Sequence, residues 1–361
     1  MIDTLVNILL VFIVSSSCAL FGNHIIINLS LGGLKKFESL ILSITLGLGC
    51  LIYTLLLLGY INLFNQSSIW IIICFFIFIG RSQISKIIRL INSFSFYDLV
   101  NNLSISSIFI FFVLSSYFLV GLTPTFDGDS LSGYLVIPRE FSKTGGINEP
   151  TYVYNFGQPG NGYMLSSLGF LLNNQILAQL MVVTLPLILI VGTIFIIGKK
   201  YLDRSSAQIG IMIWLGMYSV SFLTASAKID FAWCLFDLIS IFCFFNWLSC
   251  KSEKEKIVWI IFSGFFLGIA SGIKQASFFT VISIFVFISL KFYYDDNNIK
   301  WKKYFQTLCF FSLPLSLFTL WIFRYYFLTG NLFYTGSGLP SEESNFGFLK
   351  VIWQMSLEGN S

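Results

Sequence analysis

The residues best suited to chemistry in this sequence are two aspartates in a polar stretch, Asp127 and Asp129. Hard carboxylate oxygens at this spacing can share a divalent cation such as Mg²⁺ or Mn²⁺. One of the two can instead act as a general base. The structural alternative is that Asp129 caps a helix beginning at Ser130 while Asp127 is only solvated. Capping and catalysis can coexist, so the motif alone leaves these alternatives open.

Further charged residues stand where apolar stretches begin or end. Asp230 opens one stretch, Lys274 closes another and Arg324 closes a third. A favourable helix dipole for the acid and snorkelling for the cations are the structural alternatives. The functional interpretation is a pocket for a lipid-linked phosphate, to which arginine offers a forked contact and lysine a point charge. Asp237 falls inside an apolar stretch, where a carboxylate is costly and is therefore expected to be paired or functional.

The composition of the chain fits lipid better than water. Of its 361 residues, 56% are hydrophobic and 11% are charged, with a mean hydropathy of +0.83, whereas soluble domains are about 25% charged. We therefore predict an all-α fold, a polytopic transmembrane helical bundle of about 9–11 spans. The net charge of +4 is too small to indicate a nucleic-acid partner. The seven cysteines form no CxxC pair, and the single histidine excludes a histidine-pair metal site.

The predicted spans are the apolar stretches, since a span needs about 20 residues. They are 4–22, 39–59, 66–80, 104–121, 174–198, 208–226, 230–249, 257–272, 275–290 and 304–323, with a weaker stretch at 346–356. The first has no basic region before it, so we interpret it as a span and not as a removed signal peptide. Residues 1–361 are thus treated as a single transmembrane domain.

The distribution of lysine and arginine predicts an orientation, because these residues concentrate on the cytoplasmic side. With Met1 outside, 15 of the 21 cations fall in inner segments and six in outer ones. This arrangement puts the longest polar loop, residues 122–161, on the outer face together with Asp230, Lys274 and Arg324. Residues 81–98 are predicted to form an amphipathic helix on the inner surface.

Within the outer loop, apolar residues at helical spacing predict a short interfacial helix over residues 131–141, ended or bent by Pro138. Tyr154 and Gln158 follow in an aromatic-rich segment. Such tyrosines typically belong to the aromatic belt at the membrane surface. The alternative is that they contact a sugar.

Four segments then match a family in order. Asp129–Arg139 resembles a D-S-L-x-Y-H-L-P-x-P-K segment, with Tyr134 where histidine is common. Ala225–Asp230 resembles an acidic start of a later span, and Gly264–Lys274 a glycine-rich helix ending at lysine. Trp321–Asn331 resembles a W-x-x-R-x-x-x-x-T-G-N segment. Together they resemble the GT-C superfamily of membrane glycosyltransferases, which includes protein mannosyltransferases and the lipid A aminoarabinose transferase, and most closely its uncharacterised bacterial members.

The resemblance covers the chain from about Leu122 to Tyr334 and implies an enzyme. Such an enzyme moves a sugar, with inversion, from a polyprenyl-phosphate donor to a lipid, glycan or protein acceptor. The resemblance places residues 122–161 as the catalytic loop on the outer face of a bacterial plasma membrane. Family members usually continue with more spans, so it also implies a short or incomplete member.

The residues expected at the site fall into four groups. They are Asp129, Asp127 and Asp230 for catalysis; Lys274, Arg324 and Arg139 for the donor phosphate; Tyr134, Tyr154 and Gln158 for the substrate; and Asp127 with Asp129 for a divalent cation.

Two other classes of protein remain open. A lipid or glycan transporter, such as a flippase, would also need cations near headgroups and acids within the membrane, but its site should lie near the bilayer midplane. A polysaccharide polymerase would act on similar polyprenyl-linked glycans, but the outer segments lack the arginine-rich loops expected of one.

Overall fold

The computed structural model describes residues 2–31, 33–85, 88, 104–148, 153, 157–295 and 301–330. These residues are almost entirely helical and contain no β-strand, which confirms the predicted all-α class. The helices are α1 (Ile2–Asn28), α2 (Lys36–Tyr60), α3 (Gln66–Gln83), α4 (Ile105–Gly121), α5 (Val136–Thr144), α6 (Asn161–Leu172), α7 (Gln175–Tyr201), α8 (Arg204–Leu215), α9 (Tyr218–Thr224), α10 (Asp230–Ser249), α11 (Glu253–Ser271), α12 (Gln275–Tyr294) and α13 (Trp301–Thr329).

Seven of these helices are long and apolar enough to cross a membrane: α1, α2, α3, α7, α10, α12 and α13. Helices α8 and α9 make an eighth candidate that is bent by 66°. Helix α4 has only 17 residues, and α11 carries four charged residues in its first turn. Each of the ten predicted apolar stretches coincides with one or more of these helices. By length and composition, however, the described part of the chain gives seven or eight spans instead of about 9–11.

Side-chain caps fix where several helices begin. A side-chain oxygen accepts a hydrogen bond from a backbone N–H in the first turn, which would otherwise lack a partner. The capping residues are Asn65, Ser104, Asn174, Asp203 and Ser252. These caps explain why the observed starts follow polar residues next to the apolar stretches.

Small residues let the helices pack closely. A Cβ added at Gly47 of α2 would lie 2.1 Å from the Cys18 carbonyl oxygen of α1. A Cβ at Gly264 of α11 would lie 2.1 Å from the Phe311 carbonyl oxygen of α13. In lipid the helices gain little from apolar burial alone, so such close backbone contact is a principal source of packing energy.

Contacts between segments that are distant in sequence mark two ends of the bundle. At the first, here called the loop end, segments distant in sequence meet through the pairs Phe64–Gly145, Ser130–Ala227, Asn161–Gly272 and Ile147–Arg324. At the other, called the basic end, they meet through Lys200–Asn246 and Glu253–Lys303. The loop end gathers segments assigned to the outer face, and the basic end gathers segments assigned to the inner face.

The structure corrects the prediction for the helix in the long loop. A single wide helical turn, Ser130–Tyr134, precedes α5, and Pro138 lies inside α5 without ending it. Pro138 is the third residue of α5, where a missing N–H costs nothing because first-turn N–H groups have no helical acceptor. Helix α6, which is almost wholly buried, was not predicted. Most of the predicted helix at 81–98, and all of 346–356, lie outside the described residues.

Candidate functional site

Asp127, and not Asp129, caps the turn at the start of the site. Its Oδ2 accepts hydrogen bonds from the Ser130 N–H at 3.0 Å and from the Ser130 hydroxyl at 2.7 Å. The Asp129 side chain makes no such cap. Ser130 Oγ also accepts a hydrogen bond from the Ala227 N–H at 2.9 Å, which ties the long loop to the segment before α10. The capping role that the structural alternative gave to Asp129 therefore belongs to Asp127, and the Asp129 carboxylate stays available for other contacts.

Lys228 joins both aspartates. Its Nζ lies 2.7 Å from Asp129 Oδ2 and 3.7 Å from Asp127 Oδ2, and it also faces the Phe222 ring at 5.4 Å. The side chains of Lys228 and Asp127 are each 15% exposed, whereas that of Asp129 is 57% exposed. Burial pulls the pKa of Lys228 down, but its hydrogen bond to Asp129 and the charges of both aspartates outweigh this, so its pKa lies above the ordinary value. The positive charge of Lys228 is thus fixed beside an exposed carboxylate.

Tyr134 lies beside this ion pair. Burial and then the negative charge of Asp230 raise the pKa of its phenol, while a hydrogen bond with Gln158 and the charge of Lys228 oppose the rise. Gln158 Oε1 also accepts a hydrogen bond from the Tyr163 hydroxyl at 2.9 Å. The Tyr134 ring lies 6.2 Å from the Tyr163 ring, so Tyr163 joins Tyr134 to Gln158, and Tyr134 lies within electrostatic range of Asp129 and Asp230.

A second ion pair completes the cluster. Lys274 Nζ lies 2.7 Å from Asp230 Oδ1, and the two side chains are 24% and 22% exposed. Lys274 also faces the Trp233 ring at 5.8 Å. Asp230 is the first residue of α10, and Lys274 lies in the turn between α11 and α12. Two turns joining helices therefore present an acid and a base to each other at the loop end.

Two of the predicted phosphate-binding residues lie apart from these pairs. Arg139 donates to Gln175 Oε1 at 3.4 Å and covers the Phe170 ring at 5.3 Å. Arg324 donates to the Ile147 carbonyl at 3.1 Å. Tyr154 lies outside the described residues.

A buried amide nevertheless connects Arg324 with Lys274. The guanidinium of Arg324 lies 5.7 Å from the ring of Trp321, whose indole N–H donates to Asn161 Oδ1 at 2.8 Å. Asn161, which is fully buried, donates through its side chain to the Ile269 carbonyl at 3.1 Å and through its backbone to the Gly272 carbonyl at 2.9 Å. Asn161 thus holds α13 against the turn that carries Lys274.

Asp237 is paired, as its position inside an apolar stretch predicted. The Thr280 hydroxyl of α12 donates to Asp237 Oδ2 at 2.8 Å, inside the helical bundle. This contact links α10 with α12 below the Asp230–Lys274 pair. The pairing is through a neutral hydroxyl and not through a cation.

The predicted divalent cation meets an unfavourable donor set. Asp127 already accepts two hydrogen bonds from Ser130, and Lys228 supplies positive charge to both aspartates. Within the described ranges, no group of three or more His, Cys, Asp or Glu side chains is placed to hold a metal ion. A cation at Asp127 and Asp129 stays a prediction, and the mechanism below uses no metal.

Two residues of the arrangement were missed as site residues. Lys228 was counted only among the outer cations, although its place two residues before Asp230 was a usable signal. Asn161 gave no signal, because its importance comes from partners more than 100 positions away.

No family model, no curated protein and no solved structure matches this chain.

Proposed function

We propose that this chain is a membrane glycosyltransferase that moves a sugar from a polyprenyl-phosphate donor to a lipid, glycan or protein acceptor at the loop end. One observation carries the proposal: an exposed carboxylate, Asp129, is held beside Lys228 and Tyr134 at the same end as the Asp230–Lys274 pair. Enzymes that transfer sugars need a carboxylate to accept a proton and positive charge to stabilise a leaving group.

In the proposed reaction, an acceptor hydroxyl attacks the anomeric carbon of the donor sugar. The new bond joins the acceptor oxygen to that carbon, and the bond from the carbon to the phosphate oxygen breaks. The polyprenyl phosphate leaves with the electron pair, and Asp129 takes the proton of the hydroxyl. The transition state resembles an oxocarbenium ion, as in glycoside hydrolysis.

The other residues have roles that follow from their contacts. Lys274 would stabilise the leaving phosphate, which is already anionic and needs positive charge more than a proton. Asp230 holds Lys274 in place and would also orient a sugar hydroxyl. Tyr134 and Gln158, which both contact Tyr163, would line the sugar subsite. Arg324 would meet the donor from α13.

The orientation belongs to the same proposal. The excess of lysine and arginine at the basic end supports placing that end in the cytoplasm of a bacterium and the loop end outside. Sugar nucleotides are cytoplasmic, so a site outside would need a lipid-linked donor. A transporter is less well supported because the ion pairs of the candidate site lie at the loop end, whereas a transport site is expected near the bilayer midplane.

The experiment is a transfer assay in membranes, with radiolabelled polyprenyl-phosphate sugars and a panel of acceptors. Wild type is compared with Asp129→Asn at matched expression. Loss of a general base typically lowers the rate by about 10²–10⁴-fold, and we expect that range. Glu140→Gln is the matched control, because Glu140 is a loop-end carboxylate 2.8 Å from a lysine, Lys143, and has no proposed role.

Two results would contradict the proposal at different levels. If wild type transfers sugar and Asp129→Asn transfers it equally fast, Asp129 is not the base. If wild type transfers nothing across a broad panel of donors and acceptors, the transferase proposal fails and a lipid-flipping assay becomes the next measurement.

A further inference from the structure

A cavity of about 190 Å³ opens at the basic end, far from the residues of the candidate site. Four helices, α10 to α13, contribute to its wall. Its charged lining consists of three lysines and one glutamate, namely Lys256, Lys291, Lys303 and Glu253. Positive charge therefore exceeds negative charge among the lining residues.

The lysines converge on this cavity from different helices. Lys256 Nζ lies 3.0 Å from Glu253 Oε1 within α11, and Lys303 Nζ of α13 lies 3.0 Å from Glu253 Oε2. Lys291 of α12 lies over the Trp247 ring of α10 at 5.8 Å. The Glu253 carboxylate thus lies between two ammonium groups, and a third ammonium group, that of Lys291, lies on the neighbouring helix α12. Three cations around one carboxylate can bind a second anion.

An apolar groove of about 480 Å³ lies beside the cavity, between α12 and α13. Phe292 lines both spaces, so they are adjacent. The groove is walled by Val286 and Leu290 on one side and by Trp301 and Tyr304 on the other. The Ser289 and Tyr304 hydroxyls, 3.1 Å apart, bridge the two helices. Such a groove suits a hydrocarbon chain, and its lining offers a small soluble anion no positive charge.

We propose that the cavity and groove together bind one glycerophospholipid with an anionic headgroup. Its phosphate contacts Lys256, Lys291 and Lys303, and an acyl chain lies in the groove along α12 and α13. Charge complementarity selects the anionic headgroup, and the adjoining groove selects a lipid over free phosphate. The proposal does not depend on the transferase activity.

In this proposal Glu253 competes with the lipid phosphate, because it pairs with both Lys256 and Lys303. Glu253→Gln frees both ammonium groups. We expect it to bind the anionic lipid more tightly than wild type, by about fivefold or more. Damage to the fold would not produce a gain of this kind.

The experiment measures lipid binding to the full chain in detergent by native mass spectrometry. The probes are phosphatidylglycerol, phosphatidylcholine with the same acyl chains, and glycerol phosphate. We expect wild type to bind phosphatidylglycerol at least about tenfold more tightly than phosphatidylcholine, and glycerol phosphate not measurably. The triple variant K256Q/K291Q/K303Q should lose that preference.

The matched control is K251Q/K254Q/K302Q, which removes the same charge from exposed lysines of the basic end that do not line the cavity. This control should keep the preference. Val286→Trp, at a position 48% exposed in the groove wall, should weaken binding of both lipids by filling the groove while leaving the cavity intact.

Three outcomes would overturn the proposal. Equal losses in the two triple variants would mean diffuse attraction of anionic lipid to a basic surface. Binding of glycerol phosphate as tight as that of phosphatidylglycerol, with no effect of Val286→Trp, would mean an anion site without a lipid tail. Weaker lipid binding by Glu253→Gln would contradict the proposed competition between Glu253 and the lipid phosphate. If the first triple variant does not fold, Glu253→Gln and Val286→Trp still decide the question.

Discussion

Replacing Lys228 by methionine tests how the charged cluster of the loop end is held together. Methionine keeps most of the apolar stem that lies over Phe222 and removes only the charge. The change leaves Asp127 and Asp129 as neighbouring carboxylates without their shared cation. We therefore expect a loss of stability that is electrostatic in origin.

The magnitude follows from the exposure of each partner. Asp129 is 57% exposed, so its pair with Lys228 is worth about 1 kcal/mol or less. Asp127 and Lys228 are each 15% exposed, and breaking a fully buried pair costs about 3–5 kcal/mol. Ser130 continues to donate to Asp127 after the change, and neither partner is fully buried, so we expect a total below that range, about 2 kcal/mol. For a large domain that is a fall of about 4 °C in Tm.

The assay is thermal unfolding in detergent at pH 7, with Lys143→Met as the matched control. Lys143 pairs with Glu140 at 2.8 Å, close to the 2.7 Å between Lys228 and Asp129, but the Lys143 side chain is 61% exposed. Its loss should therefore cost about 0.5 kcal/mol or less. In an Asp127→Asn background, the cost of Lys228→Met should fall by about half. If Lys228→Met is no more destabilising than Lys143→Met, the account of this cluster is refuted.

Three further predictions test other parts of the structure. The raised pKa of Lys228 adds stability below the ordinary lysine value of about 10.4, and this is lost as pH rises through the folded-state value. The Tm of the wild type should therefore fall as the buffer becomes alkaline, and the Tm of Lys228→Met should fall less steeply. Parallel plots of Tm against pH for the two proteins would contradict this. Gly47→Ala should be strongly destabilising because its Cβ would meet the Cys18 backbone, whereas Gly128→Ala, with nothing within 4 Å, should be neutral when Tm is compared. Asn161→Leu should lower Tm by several degrees, because it removes the two side-chain hydrogen bonds of the amide, to the Ile269 carbonyl and from the Trp321 indole. A wild-type Tm would show that the amide is dispensable.

The local features of the fold were predictable because they depend on neighbouring residues. Apolar stretches locate helices, and each of the ten predicted stretches is helical in the structure. The number that qualify as spans was less predictable. The 66° bend between α8 and α9, for example, falls at Gly216 and Met217, and residues 204–224 contain no proline that would have predicted it.

The buried helix α6 shows a second limit of sequence analysis. Its residues, Asn161–Leu172, are too few to span a membrane and alternate small, polar and apolar types without a clear amphipathic face. The helix is stabilised by its surroundings, through contacts such as Gly162 against Ile229 and Asn161 with Trp321. Such contacts between distant residues leave no local pattern.

For the candidate site, too, some features depended on the sequence and others on the tertiary structure. The sequence by itself determined a helical membrane protein, the positions of its charges along the chain and the acids and bases worth considering, because residue type and hydrophobicity are local properties. Only the tertiary structure decided that Lys228 joins Asp127 to Asp129, that Lys274 pairs with Asp230 and that Arg139 lies apart. The physical reason is that ion pairs form where helices bring turns together, and those distances depend on how the whole bundle packs.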